Sequence, residues 1–179
     1  MRSIAILIGT LLLSMAAQAA PESFYMSIPG IKGESLEKAY FGWIPVTSFS
    51  EGFMTSGRPG GGSSGRAVGR VVCQALQVIK QLDSSSPEIT AAVATGHNYS
   101  EIDLVAVTAG SETSVEFLRF ALHNAVISSV TLGGDSSTSA RVETVSMSAQ
   151  KIDVTYWPQN PDGSRGGAIM TTVDCGNVN

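Results

Sequence analysis

The chain has 179 residues, enough for one domain with a real core. Apolar residues make up 43% of it and charged residues 15%, which argues against a disordered chain. A formal charge of −4 argues against nucleic acid as the main partner.

The first twenty residues, MRSIAILIGTLLLSMAAQAA, open with Arg2, run apolar from Ile4 to Leu13 and close on Ala17-Gln18-Ala19. A basic start, an apolar centre and an A-x-A site are the form of an export leader, with cleavage expected after Ala19. The apolar run is about ten residues, half of what spanning a bilayer needs. No other segment is long and apolar enough to span, so stable membrane insertion is not expected. The layout read from the sequence is a leader over 1–19 and one domain over 20–179. The mature chain is then secreted or periplasmic. Loss of Arg2 leaves ten basic side chains against fifteen acidic ones, a formal charge of −5.

ESFYMSIPGIKGES begins the domain with a short strand that turns at Pro29-Gly30. AYFGWIPVTSF, aromatic and β-branched, reads as the next strand. A glycine-rich connection follows, Glu51 to Ala67. Its Gly60 and Gly65 have the spacing of a phosphate-binding P-loop. Arg66 and Ala67 then stand where that loop needs its lysine and hydroxyl, so the chemical positions fail. Composition makes the segment slack rather than chemistry.

VGRVVCQALQVIKQL fits two periods. Val68, Val72, Ala75, Leu76, Ile79 and Leu82 share a helical face, whereas Val72, Leu76, Val78 and Leu82 share a strand face interrupted by Gln74 and Lys80. Periodicity alone slightly favours the helix. SSSPEITAAVATG is a clear short helix, with Ser86 as N-cap, Pro87 in the first turn and Gly96 as terminator. EIDLVAVTAG and SVEFLRFALHNAVISSVTL read as two strands joined near Gly110-Ser111. In Arg141 to Trp157, Val145, Met147 and Ala149 point one way, and Ile152, Val154 and Tyr156 continue in the opposite phase. That shift predicts a bulge near Gln150. The tail turns at Pro161-Asp162-Gly163 and has room for one more strand. The fold class read from these elements is mostly β, with one short helix. A bulged, bent sheet of this kind can close into a barrel.

No reaction class emerges from the spacing. His97 and His123 are far apart and lack metal-ligand neighbours. His123 reads as a satisfied strand histidine. Glu34 and Glu37 read as a solvated surface pair. Asn98 to Ser100 matches the short glycosylation pattern, which is common by chance. No serine has a nucleophile-elbow setting. No cofactor, metal or enzymatic activity is expected.

Several stretches together resemble the haemolysin-coregulated protein (Hcp) family, the tube protein of type VI secretion. Gly30 to Ser35 are similar to the family's opening turn. Gln74, Leu76, Val78, Lys80, Asp83, Ser86, Pro87, Ala94, Thr95 and Gly96 fall on its next block. VETVSMSAQKIDVTYWPQ resembles its late strand, and Asp162 to Gly167 its closing turn. The resemblance runs from Phe24 to Asp174. It implies a closed antiparallel β-barrel flanked by a helix, and it makes Val68 to Leu82 a strand. It also implies homohexameric rings that stack into a tube with small effector proteins in the lumen. The glycine-rich segment then falls where the family has an extended loop that reaches a neighbouring ring or subunit. Glu51, Gly57, Arg58, Gly60, Gly61, Gly62, Gly65 and Arg66 become candidate assembly residues, ordered on contact. The leader and Cys73, which stands where the family has a large apolar residue, depart from the family pattern. They motivate an alternative: an exported monomeric binding module that keeps the barrel and acts in the periplasm or outside the cell.

Cys73 and Cys175 are the only cysteines. In an oxidising compartment, two thiols leave one intramolecular pair, so a Cys73–Cys175 disulfide is expected. The rival arrangement has Cys73 buried as a small apolar residue and Cys175 pairing between subunits.

Overall fold

A computed structural model describes residues 21–55, 71–108, 114–137, 140–162 and 164–176. The strand β1 (Glu22–Ser27) alternates, turning Phe24 and Met26 inward, and ends at the Pro29-Gly30 turn. The aromatic segment that follows departs from the strand expected there. It first forms a 3-10 turn over Lys38–Tyr40, and only then the strands β2 (Ile44–Val46) and β3 (Ser48–Ser50). Two short strands come next, β4 (Phe53–Thr55) and β5 (Val71–Cys73). Then come β6 (Leu76–Gln81), the helix α1 (Ser86–Thr95), β7 (Asn98–Thr108), β8 (Val115–Asp135), β9 (Ala140–Tyr156) and β10 (Ile169–Asp174). The turn expected near Gly110-Ser111 lies outside the described residues.

The main sheet is antiparallel, in the order β2-β1-β7-β8-β9-β6-β3. Its two ends, β2 and β3, are halves of one run, so the sheet closes on itself. The amide of Thr47, between the halves, donates to the carbonyl of Ile79 at 2.7 Å. The long strand β9 pairs along one edge with β8 and divides its other edge between β6 and β10. The interior is filled by Met26, Ile44, Leu76, Val78, Ile102, Leu104, Leu122, Val145, Met147 and Ile152, with Ile89 and Ala92 of α1 packed against them. Burying each large apolar side chain is worth about 1.5–3 kcal/mol.

Leu76, Val78 and Lys80 all face inward on β6, so the described part of the segment with two possible periods is extended, as β5 and β6 with a break at Gln74-Ala75, and carries a lysine on the core face of β6. Lys80 stands opposite Glu143 of β9, and both are fully buried. Its ammonium donates to Glu143 Oε2 at 3.1 Å, Asp83 Oδ1 at 2.9 Å, Ser86 Oγ at 3.1 Å and the carbonyl of Gln81 at 2.9 Å. This cluster explains a one-residue difference at the helix start. Ser85, not Ser86, is the N-cap residue, and its side chain makes no capping bond. The Ser86 hydroxyl is taken by Glu143, to which it donates, and it accepts the amide of Asp83. At the other end Gly96 adopts φ 61° and closes the helix, as expected of a glycine terminator.

The change of phase on β9 is present, but no register offset accompanies it. The inward set on β9 passes from Val145, Met147 and Ala149 to Ile152 and Val154. On β8 it passes from Phe120 and Leu122 to Ala125 and Ile127 at the same level, and on β7 from Tyr99 to Ile102 and Leu104. His123 pairs Lys151 and Ala125 pairs Ala149, leaving Asn124 and Gln150 as one out-of-phase residue on each strand. Tyr99 pairs Ala125 and Glu101 pairs His123, so Ser100 completes the line. Three strands therefore swap faces together along Ser100, Asn124 and Gln150. Asn124 takes φ 48°, a conformation that asparagine tolerates, and its amide donates to Gln150 Oε1 at 3.3 Å. The true register shift between β8 and β9 lies at Ser128.

Candidate assembly surfaces

β4 and β5 form a hairpin with its own two-stranded sheet, in the register Phe53↔Cys73, Met54↔Val72 and Thr55↔Val71. Phe53, Met54, Val71 and Val72 are all exposed, an apolar patch of the kind that marks a contact surface. Between the two strands runs most of the glycine-rich segment. Of its candidate residues, Gly57, Arg58, Gly60, Gly61, Gly62, Gly65 and Arg66 lie outside the described residues. Glu51 stands at the neck of the hairpin, next to Gly52, whose carbonyl accepts the amide of Gln74 at 2.8 Å.

Cys73 and Cys175 form a disulfide, with their Cα atoms 5.3 Å apart. Both are partly buried against the barrel core. The amide of Cys175 donates to the carbonyl of Gln150 at 2.8 Å, so the bridge joins the hairpin base to the sheet where the strands swap faces.

Glu51 is the unusual charge here. Neither carboxylate oxygen has a hydrogen-bond partner among the described residues. Burial pushes its pKa up to about 7 from an ordinary value of 4.5, against a smaller opposite pull from the amide of Gly52. That amide lies near enough to matter electrostatically, but neither oxygen makes a geometrically sound bond with it. The sign of the effect follows from linkage. Between pH 4.5 and about 7 the folded chain holds the proton that the unfolded chain has lost, so stability falls as pH rises through this window. Below the window the penalty is absent. Glu51→Gln should therefore match the parent near pH 4 and exceed it near pH 8, in urea midpoints measured at pH 4, 6 and 8. A difference that does not change with pH would remove the buried charge as its cause.

A second exposed apolar surface lies on the outside of β1 and β7. The segment 33–43 folds back there: Gly33 donates to Gly42 O at 2.9 Å, and Ser35 donates to Trp43 O at 3.0 Å. A Cβ at Gly33 would collide with the backbone of Trp43 and Ile44, so only glycine allows this approach. Tyr40 stacks on Tyr25 at 4.9 Å and meets Trp43 edge-on at 5.2 Å, over Val105 and Val107. This packing leaves Leu36 and Phe41 pointing outward, 86% and 75% exposed. The third surface is β10, which pairs only with β9 among the described residues and exposes Ile169 and Met170.

The histidines take no part in these surfaces. His97 is exposed beside the ring of Tyr99. His123 lies between Glu101, 3.2 Å from Nδ1, and Asp153, 2.9 Å from Nε2. The Thr172 hydroxyl donates to the same Asp153, and it and His123 hold that carboxyl below its usual range. Among the described residues, no three His, Cys, Asp or Glu side chains converge on a metal-sized site. No described helix is long and apolar enough to cross a membrane. Two features were not found by reading the sequence. The Lys80–Glu143 pair links positions 63 residues apart, which a strand pattern does not connect. Leu36 and Phe41 gave no signal either, since their exposure follows from how the 33–43 segment folds back.

A family model described as type VI secretion system effector, Hcp, matches residues 25–156. Protein hcp1 of Pseudomonas aeruginosa is 34% identical over 143 residues, covering 80% of this chain and 88% of that protein. A solved structure of a type six secretion system protein superposes with a TM-score of 0.76 at 24% identity, over 83% of this chain and 92% of its own. Hcp1 from Salmonella typhimurium superposes at 0.69 with 23% identity, over 88% and 96%. These two structural likenesses concern the fold.

Proposed function

The chain belongs to the Hcp family of type VI secretion proteins, and from that premise we propose that it is a structural and carrier subunit. Six copies close into a ring, rings stack into a tube, and the lumen carries small effector proteins. The observation that carries this reading is the family match from Tyr25 to Tyr156, which runs from β1 to the end of β9. The family is one of secreted tube proteins, not of enzymes. The exposed apolar residues of the hairpin, of the 33–43 segment and of β10 supply contact surfaces in keeping with self-association. The glycine-rich segment, including Gly57 to Arg66, is assigned to contact between neighbouring rings or subunits. Native mass spectrometry of the mature protein at tens of micromolar should give a hexamer. A clean monomer there would end the ring reading in favour of an exported monomeric module.

We further propose that residues 1–19 are a leader and that the working protein is the domain 20–179, in the periplasm or outside the cell. Bacteria expressing the full chain should yield a protein whose intact mass starts at Ala20. Recovery of only the full-length mass, from the cytoplasm, would count against export by this route.

A further inference from the structure

The β4–β5 hairpin is attached to the molecule in an unusual way. Two-stranded hairpins are marginally stable by themselves in water. Among the described residues, no backbone hydrogen bond runs from β4 or β5 to the barrel sheet. The amide of Gln74 closes the neck onto Gly52, which holds the two legs together but not the hairpin to the barrel. Both legs continue through two residues into barrel strands that pair with each other, β4 by Glu51-Gly52 from β3 and β5 by Gln74-Ala75 into β6. The Cys73–Cys175 bridge adds a third covalent tie that sets the hairpin's direction, its far end pinned by the Cys175 amide on Gln150. At the same neck, both oxygens of Glu51 are buried with no partner among the described residues, and they would regain water if the neck moved outward.

We propose that the disulfide is a redox-dependent mooring that holds the hairpin in one orientation against a bias for release supplied by Glu51. Reduction needs a dithiol. One of its thiolates attacks Sγ of Cys73 or Cys175, the S–S bond breaks, and a mixed disulfide forms. The second thiol of the reductant then displaces the remaining cysteine. Both cysteines end as thiols, and the dithiol ends as a disulfide, having supplied two electrons and two protons. Neither cysteine is fully buried. The barrel remains closed, because its closure runs through Thr47 and the paired strands and not through the bridge. The apolar residues Phe53, Met54, Val71 and Val72 are thus presented in a fixed direction only where thiols are oxidised.

Hydrogen exchange read by mass spectrometry tests this on the full mature protein, oxidised against reduced and alkylated. Peptides covering 51–55 and 71–74 should exchange about tenfold faster or more after reduction, by a local opening that low urea does not accelerate, while those of β7, β8 and β9 remain the slowest and exchange only by unfolding of the whole domain. Equal exchange of the hairpin in both states overturns the proposal. So does exchange of the hairpin and the barrel strands at one common rate after reduction, which would mean that they open only together. Cys175→Ser gives the same comparison without alkylation and should behave as the reduced protein. In the reduced background, Glu51→Gln should slow hairpin exchange. No slowing would remove the carboxylate from the device.

Discussion

Lys80→Met should lower the stability of the folded chain by about 3–5 kcal/mol, the range for breaking a buried ion pair from one side. The ammonium and the Glu143 carboxylate are both inaccessible to water, and Glu143 Oε1 already lacks a partner. Removal of the lysine leaves that carboxylate with only the Ser86 hydroxyl, in a place where charge is expensive. It also takes away the group that gathers Asp83 and Ser86 at the start of α1. The double change Lys80→Met with Glu143→Leu should recover most of the loss, because the stranded charge goes with its partner. Chemical denaturation of the parent, the single and the double variants decides. A single-variant loss under about 1 kcal/mol, or a double variant no better than the single, would show that the pair is not held as described. Against a typical stability of 5–15 kcal/mol, the expected loss is enough to threaten folding.

Replacement of both cysteines by serine should cost about 2–4 kcal/mol. The bridge closes a loop of 102 residues, for which the chain-entropy account gives roughly 4.7 kcal/mol. A compact unfolded chain is already partly closed, so the lower range is expected. For a domain of this size that corresponds to a fall in Tm of about 4–16 °C. Calorimetry of the variant beside the oxidised parent gives the value directly. Unfolding temperatures within about 1 °C of each other would mean that the bridge adds nothing to global stability.

That β1, β7, β8 and β9 are strands could be read from residues alone, because each is an apolar, β-branched run bounded by turn residues. The β6 segment could not be read this way. Its inward set is Leu76, Val78 and Lys80, and a period search counts the lysine as a break. What makes Lys80 an inward residue is Glu143, supplied by a strand that pairs with β6 only after folding. The face swap at Gln150 was visible in one strand, but its cause was not. A lone strand suggests a bulge, and only the neighbours reveal a matched swap at Ser100 and Asn124. For the cysteines, the count narrowed the pairing, and the approach of two chain segments to 5.3 Å is a product of the tertiary fold. Of the candidate assembly residues named from the glycine-rich segment, Glu51 alone falls within the described structure. Its burial without a partner has no local signature.

The line through Ser100, Asn124 and Gln150 sets a rule about length rather than identity. Side chains at these positions are polar, with Ser100 and Asn124 exposed and Gln150 half-buried, so substitutions could be accommodated at Ser100 and Gln150, while the positive φ at 124 favours asparagine or glycine. Deletion of one residue from β7, β8 or β9 next to this line is a different event. It would leave the altered strand in its old phase while its neighbours changed, turning the apolar side chains beyond that point toward water. Variants of this barrel can therefore drift in composition along the line, but a change in residue number there must be matched across three strands at once.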